Sequence, residues 1–535
     1  MDFQKPAYVG ATLLWDRDAV AIGLAELGNC RPIVLVWLKE LLDSYHDTSR
    51  SLAYYDLLAG DWLLRFTDLV YAAWREVLAG NIPTENQVIP VSADLVTSQL
   101  MYLQGSRLHE YLRWALARLL EGASPHDWQF ECESVQIVSG GRQRLSKLLL
   151  CGLATAKPDI LVTNPYFKCS SSEWAGALWH WRHRLAWNDL QYPIHVSARL
   201  DTTWRKAQAI TAIPATNLSG LLRILLPLQL PVALLEGFAD YRKAALALPV
   251  VRPKIVYSAN ALHGHLSFKL LAAEWRQQGT LLLYHQHGGG YGIDRVHALE
   301  EFETRVADRY YTWGWRRVEP HVKPLGVPPP YVQPRQPQKR LLLSCVDFPR
   351  EVYRLHFQPM PGTIQTMHRE TCKFLAALPD RSKLLVRPYP HDYGWGFIGM
   401  MRKSAPDAEF DDHRIGAFVR YAESRLVIHN YLGTGWLETL ALNIPTVCFY
   451  DPATYAFREA AQPFINKLEM AGILHRSGVT AARFVAGILN NTETWWNQPD
   501  IQAARQDFID HYANFSPDWK QQWEREFEAV LDGVG

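Results

Sequence analysis

Apolar and polar positions change their rhythm along this chain. From Tyr45 to about Arg118, apolar residues return at three- and four-residue intervals, as in Tyr54-Tyr55-Asp56-Leu57-Leu58 and Trp62-Leu63-Leu64-Arg65-Phe66, which predicts a helical layer. Beyond it come short apolar runs followed by loop or helix signals: Asp159 to Thr163, Ile255 to Ser258 and Thr280 to Tyr284. Runs of that length fit strands buried on both faces, and their alternation with helical stretches predicts a parallel sheet. Lys254 to Asn260, a helix around Phe268 to Gln277, and Thr280 to Tyr284 read as one β-α-β crossover. The segment Pro320 to Gln338 carries seven prolines and reads as an interdomain linker. A second alternation follows: Arg340 to Cys345, a helix near Thr363 to Ala377, Lys383 to Val386, Arg425 to His429, a helix from Thr434 to Leu442, and Thr446 to Tyr450. The expected fold class is α/β with two Rossmann-like domains, an added N-terminal helical region and a C-terminal helical tail from Ala481. The expected boundaries are 1–335, 336–480 and 481–535, the tail packing back across the domains.

Composition narrows the field. Lys+Arg at 55 against Asp+Glu at 54 gives a formal charge of +1, which disfavours a charge-driven nucleic-acid binder. Seven scattered cysteines, with no Cys-x-x-Cys, suggest a reduced, cytoplasmic setting. Met1 to Tyr8 has no apolar run of signal-peptide type. The most apolar stretch, Ile224 to Leu235, is too short to span a bilayer, which takes about 20 apolar residues. It reads as a buried segment; peripheral contact with the inner membrane surface is the alternative.

The most informative segment is His285-Gln286-His287-Gly288-Gly289-Gly290-Tyr291-Gly292, directly after an apolar strand, where a parallel sheet binds ligands. Packing would favour apolar side chains there; a purely structural tight turn is the competing reading. His287 offers a base titrating near neutral pH, and the glycines let backbone approach a ligand. Asp294, Glu300 or Glu303 would orient it or accept a proton, or else form a solvated helix face. His285, Gln286, Gly288, Gly289, Gly290 and Trp313 line the same loop region. In the second half, Arg387 emerges at a strand end, suited to a phosphate or to a structural salt bridge. His429-Asn430-Tyr431-Leu432-Gly433-Thr434-Gly435 runs from a strand into a helix start, which gathers free N–H groups for an anion. Glu438 would take ribose hydroxyls or sit on an exposed helical face. The donor-side set is therefore Arg387, His391, Asn430, Thr434, Gly435 and Glu438. Of twenty tryptophans, Trp313, Trp315, Trp395 and Trp436 lie beside these loops and could stack on a ligand. The sequence has no Walker phosphate loop, no His-Glu-x-x-His and no Gly-x-Ser-x-Gly, and its Asp-x-Asp, Asp16-Arg17-Asp18, comes too early for a metal-dependent sugar-nucleotide site. No metal is expected, and no cofactor beyond a nucleotide-sugar co-substrate.

With Gly60-Asp61-Trp62-Leu63, Gln286-His287-Gly288-Gly289-Gly290-Tyr291-Gly292, Thr312-Trp313-Gly314-Trp315, Thr434-Gly435-Trp436-Leu437-Glu438-Thr439-Leu440 and Asn443-Ile444-Pro445-Thr446, the chain resembles the surface-carbohydrate transferases encoded in bacterial O-antigen and capsule loci. That resemblance implies a GT-B-like layout, acceptor and donor meeting in a cleft between two Rossmann-like sheets, and a cytoplasmic glycosyltransferase with a nucleotide-sugar donor and a glycan or lipid-linked glycan acceptor. His287-Gly288 after a strand is similar to the His-Gly of polyol-phosphate transferases. Pro390-His391 is similar, in reversed order, to the His-Pro of transferases using CMP-activated ulosonic acids such as Kdo or sialic acid. A polyol-phosphate transferase, a nucleotide-sugar epimerase and a non-catalytic scaffold in polysaccharide assembly are the alternatives.

Overall fold

The computed structural model describes residues 17–95, 106–133, 158–165, 185–188, 190, 194, 196, 198–210, 217–263, 265–330, 340–348, 361–391 and 393–533. Asp16 and the part of the proline-rich stretch at 331–339 lie outside them. The chain begins with two long helices, α1 (Arg17–His46) and α2 (Leu52–Leu78). The helix Ser106–Leu120, a short parallel pair, β1 (Ile89–Ser92) and β2 (Phe130–Glu133), and α3 (Leu218–Gln229) pack in the same layer. Nearly every residue of α2 from Tyr54 to Ala73 is buried, including Asp56, Asp61, Arg65 and Asp68. A helix apolar on all sides belongs inside a larger body, so these charges need partners within the protein. The apolar stretch Ile224 to Leu235 is buried in the same layer. Among the described residues no helix is long and apolar enough to cross a membrane.

The first sheet consists of β3 (Ile160–Val162), β4 (Leu185–Trp187), β5 (Ile255–Ser258), β6 (Leu281–His285), β7 (Arg309–Thr312) and β8 (Val322–Pro324). All are parallel, in the order β4-β3-β5-β6-β7-β8. Between them run α4 (Leu266–Arg276) and α5 (Ala298–Val306), both packed on α2. A Cβ on Gly60 of α2 would lie 2.5 Å from the Phe302 ring of α5, so glycine permits this close approach. The proline-rich stretch is therefore not linker throughout: Val322–Pro324 forms the sixth strand, at the sheet edge where proline is tolerated.

The second sheet holds β9 (Leu341–Ser344), β10 (Leu384–Arg387), β11 (Glu409–Phe410), β12 (Leu426–His429), β13 (Thr446–Phe449) and β14 (Leu474–His475), again all parallel, in the order β11-β10-β9-β12-β13-β14. Strand order reverses direction between β9 and β12, the place where an open α/β sheet leaves a crevice. Helix α6 (Thr434–Ala441) follows β12, and α7 (Gln462–Met470) follows β13. Helix α8 (Pro499–Tyr512) packs on α6 and α7, with Phe508 against the Trp436 ring. Helix α9 (Trp519–Asp532) then lies beneath the first sheet, where Trp519, Trp523 and Phe527 join one core with Ile160, Val162, Ile255, Tyr257, Leu283 and Tyr311. The two halves are also sewn together directly, Arg295 N–H to the Ala456 carbonyl at 3.0 Å and Arg458 N–H to the Ile293 carbonyl at 2.8 Å.

Candidate active site at the junction of the two sheets

The loop after β6 runs straight onto the start of α6. Gly289 N–H donates to Thr434 Oγ1 at 2.9 Å, and a Cβ on Gly289 would come within 2.6 Å of the Gly433 carbonyl carbon. Only glycine lets the two backbones meet so closely. The loop is shaped by its neighbours. Gln286, fully buried, accepts from Trp313 N–H at 2.9 Å and Trp315 Nε1–H at 2.8 Å and donates to the Gly288 carbonyl at 2.8 Å. His285 points the other way, into the core under α9, with its Nδ1 2.7 Å from the Tyr257 hydroxyl. Burial pulls its pKa down to about 3, so it is a neutral packing residue.

His287 keeps 19% of its side chain exposed. Burial, and then the charge of nearby His263, hold its pKa well below the ordinary histidine value. It is therefore neutral and able to accept a proton. The acid beside it is Glu303, with Oε1 3.7 Å from His287 Nδ1, while Tyr291 O–H stands 3.3 Å from that nitrogen. Of the three acids the sequence offered, Glu300 and Asp294 are engaged elsewhere. Glu300 accepts from Gly292 N–H at 2.7 Å, Arg317 at 2.6 Å and Arg458 at 2.8 Å. Asp294 accepts from the Tyr455 hydroxyl at 2.7 Å, and burial pushes its pKa well up. Both belong to the seam between the halves. Gly290, with φ of +89°, turns the loop toward that seam.

On the facing side, α6 begins at Gly433 with no side chain capping its first N–H groups. These open on a cavity of about 390 Å³ at the β9–β12 crevice, lined by Ser344, Arg387, Tyr389, His413, Thr434 and Gly435 among others. The free helix start and its dipole favour an anion there. Arg387 lines this cavity but is bound to Asp411 and donates to the Ile415 carbonyl at 3.0 Å, so the salt bridge foreseen as its alternative is present. Asn430 accepts from Val346 N–H at 2.9 Å and donates to Thr371 at 3.2 Å, which braces the β9 loop. His391 is exposed beside Tyr393 at the cavity's outer lip, and Glu438 is buried in α6, outside the lining. Trp313, Trp315 and Trp436 are buried, so packing uses them and little of their faces is left for a ligand.

Sequence reasoning missed Asp61, His263 and Lys269, which converge behind His287. His263 donates from both ring nitrogens, to Asp61 at 3.2 Å and to Glu303 at 2.6 Å. Burial alone would lower its pKa, but these two bonds carry it up to about 9. The signal was present as charged residues, Asp56, Asp61, Arg65 and Asp68, set among the apolar positions of one helix. His263, His287 and Glu303 also place donor atoms within 4.8 Å of one another, the one such group among the described residues. The 2.6 Å bond between His263 and Glu303 fits a shared proton.

The chain belongs to the LIC12162 transferase family: the model described as "LIC12162 family transferase" matches residues 9–527. No curated protein matches it. Among solved structures it is similar to a provisionally assigned UDP-N-acetylglucosamine 2-epimerase from Listeria monocytogenes, at 11% identity over 71% of this chain and 98% of that one, with a TM-score of 0.40. It is similar to an O-GlcNAc transferase mutant of Thermobaculum terrenum, at 13% identity over 94% and 98%, TM-score 0.35. A UDP-forming α,α-trehalose-phosphate synthase from Burkholderia vietnamiensis matches at 11% identity over 70% and 100%, TM-score 0.38. No residue's role is carried across at these scores.

Proposed function

We propose that this transferase moves a sugar from a nucleotide donor to a bacterial surface polysaccharide or its precursor. The observation that carries the reading is the meeting of the His287 loop with the Gly433–Thr434 helix start beside an open cavity. The donor's phosphates would lie at the α6 start, its nucleoside within the β9–β12 crevice. The acceptor hydroxyl would give its proton to neutral His287 as its oxygen bonds to the anomeric carbon. The bond from that carbon to phosphate breaks at the same time, and the nucleotide leaves with the electron pair. The α6 N–H groups stabilise the charge developing on the leaving phosphate, and the closely apposed rims orient the two substrates. No step in this scheme requires a metal.

Thermal-shift screening of CMP, CDP, UDP and GDP, followed by turnover assays with the matching sugar donors, tests the reading. We expect one nucleotide to raise the melting temperature and its sugar conjugate to release free nucleotide. His287→Ala should lower turnover by a hundredfold or more, the scale of a lost general base, with nucleotide affinity unchanged within a few fold. Phosphate transfer from CDP-glycerol would instead assign a polyol-phosphate transferase. Absence of nucleotide binding at millimolar concentration would favour a non-catalytic scaffold.

A further inference from the structure

The scheme above uses His287 alone, yet a buried assembly of charge lies directly behind it. A chain of contacts runs from Asp61 Oδ1 to His263 Nδ1 at 3.2 Å, from His263 Nε2 to Glu303 Oε1 at 2.6 Å, from Glu303 Oε1 to the Tyr291 hydroxyl at 3.0 Å, and from that hydroxyl to His287 Nδ1 at 3.3 Å. The rings of His263 and His287 are 5.5 Å apart. A neutral imidazole donates only once, so a ring wedged between two carboxylates needs both protons. The two acids are themselves held. Asp61 has Arg65 at 3.3 Å and Lys269 at 3.6 Å, and Glu303 accepts from the Tyr310 hydroxyl at 2.9 Å.

We propose that Asp61 and Glu303 clamp His263 as a permanent cation whose role is to keep His287 unprotonated and aimed at the acceptor hydroxyl, making His263 a positioning residue of the transfer reaction. This rests on His287 acting as the base. His287 faces the carbonyl of Ala259 and His263 from the segment after β5, Glu303 and His297 from α5, and Tyr291 and His285 from its own segment. Asp61 and Arg65 of α2 and Lys269 of α4 stand behind His263. Among these, His263 is the fixed positive charge nearest the His287 ring. When His287 takes the acceptor's proton it becomes a second cation, and Glu303 at 3.7 Å is placed to share that charge until the proton passes to water. The repulsion then speeds proton release and resets the base.

The test is ring-labelled histidine NMR on the full chain, read beside the pH dependence of kcat/KM. We expect His263 to remain cationic up to about pH 9 and His287 to titrate below the ordinary histidine range. The nearly isosteric Asp61→Asn should let His263 lose its proton at lower pH, move the acid limb of kcat/KM upward by half a pH unit or more, and lower kcat about tenfold. Glu303→Gln, which also removes the acid beside His287, is read by the His263 NMR signal alone and serves if Asp61→Asn folds poorly. A His263 that is neutral at pH 7.5 overturns the proposal, as does an acid limb that stays in place in Asp61→Asn. Stoichiometric Zn²⁺ or Mn²⁺ uptake that vanishes in His263→Gln, with activity lost to a chelator, also overturns it, since a metal would then hold the proton's place. A cationic His263 combined with no turnover of any nucleotide sugar would defeat the glycosyl-transfer reading and leave the charge clamp standing.

Discussion

Gly289 is the residue at which the two rims are closest. A methyl group there would meet the Gly433 carbonyl carbon at 2.6 Å and the Thr434 nitrogen at 2.7 Å, both backbone atoms that cannot swing aside. Gly289→Ala is therefore expected to push the rims apart and cut turnover at least tenfold, since small misplacements of reacting groups are costly. Nucleotide affinity should hold within a few fold, because the cavity is built from the second half alone. Equal loss of both in titration calorimetry and turnover assays would place Gly289 inside the nucleotide site instead. This residue and His287 were legible in the sequence because a polar, glycine-rich loop after a buried strand has no packing purpose. The acid partner was not. Asp294, Glu300 and Glu303 follow the loop at similar distances along the chain, and which one reaches His287 depends on the turn of α5 and on Arg317 and Arg458 claiming Glu300. Asp61 and His263 stand 202 positions apart, so nothing local joins them.

At the scale of elements, most long central strands announced themselves as continuous apolar runs, while β1, inside the span read as helical, and β2, β4, β8, β11 and β14 did not. Val322–Pro324 and Leu474–His475 are short edge strands, half polar, and chain pairing alone defines them. The tail helices were visible as helices, but only tertiary packing says what α9 supports. Trp523 is fully buried, touches the rings of Tyr257, His285 and Tyr311, and donates its Nε1–H to the Gly326 carbonyl at 2.9 Å. Trp523→Ala should cost about 3–5 kcal/mol, as deletion of a buried aromatic does, measured by urea unfolding. It should also loosen His285 and with it the base of the glycine-rich loop. A cost under about 1 kcal/mol would mean α9 docks weakly and is dispensable to the sheet. By contrast, Gly487 sits exposed in the helix Gly478–Ile488, and a methyl added to it would meet nothing within 4 Å. Gly487→Ala should therefore stabilise the protein by about 0.5–1 kcal/mol in the same unfolding measurement.

For the whole molecule, buried histidines set the response to pH. His285, His297 and His429 are each held down to about 3 by burial, and His287 is lowered as well. They are neutral in the fold, whereas the unfolded chain takes up their protons below about 6.5, so stability falls as pH drops below that value. Asp294 and Glu303, raised by burial, bind protons more tightly in the fold and oppose part of this loss. The lowered histidines, His46 and His475 among them, outnumber the raised acids, so the acid side carries the net loss. His263 has the opposite sign. Its pKa is raised to about 9, so its contribution is complete below about 6.5 and disappears as pH rises through 9. Stability measured by denaturant unfolding from pH 5 to 9.5 should therefore peak near pH 6.5 and fall more steeply toward acid than toward alkali. His297 allows a clean check, because its ring caps α5 by accepting from Glu300 N–H at 3.2 Å, a role asparagine fills as well. His297→Asn should flatten the acid slope by about 1.4 kcal/mol per pH unit, one proton's worth, while leaving stability at pH 7.5 nearly unchanged. An unaltered acid slope in that variant would mean His297 is already protonated in the fold, and would remove the neutral-core account of acid sensitivity.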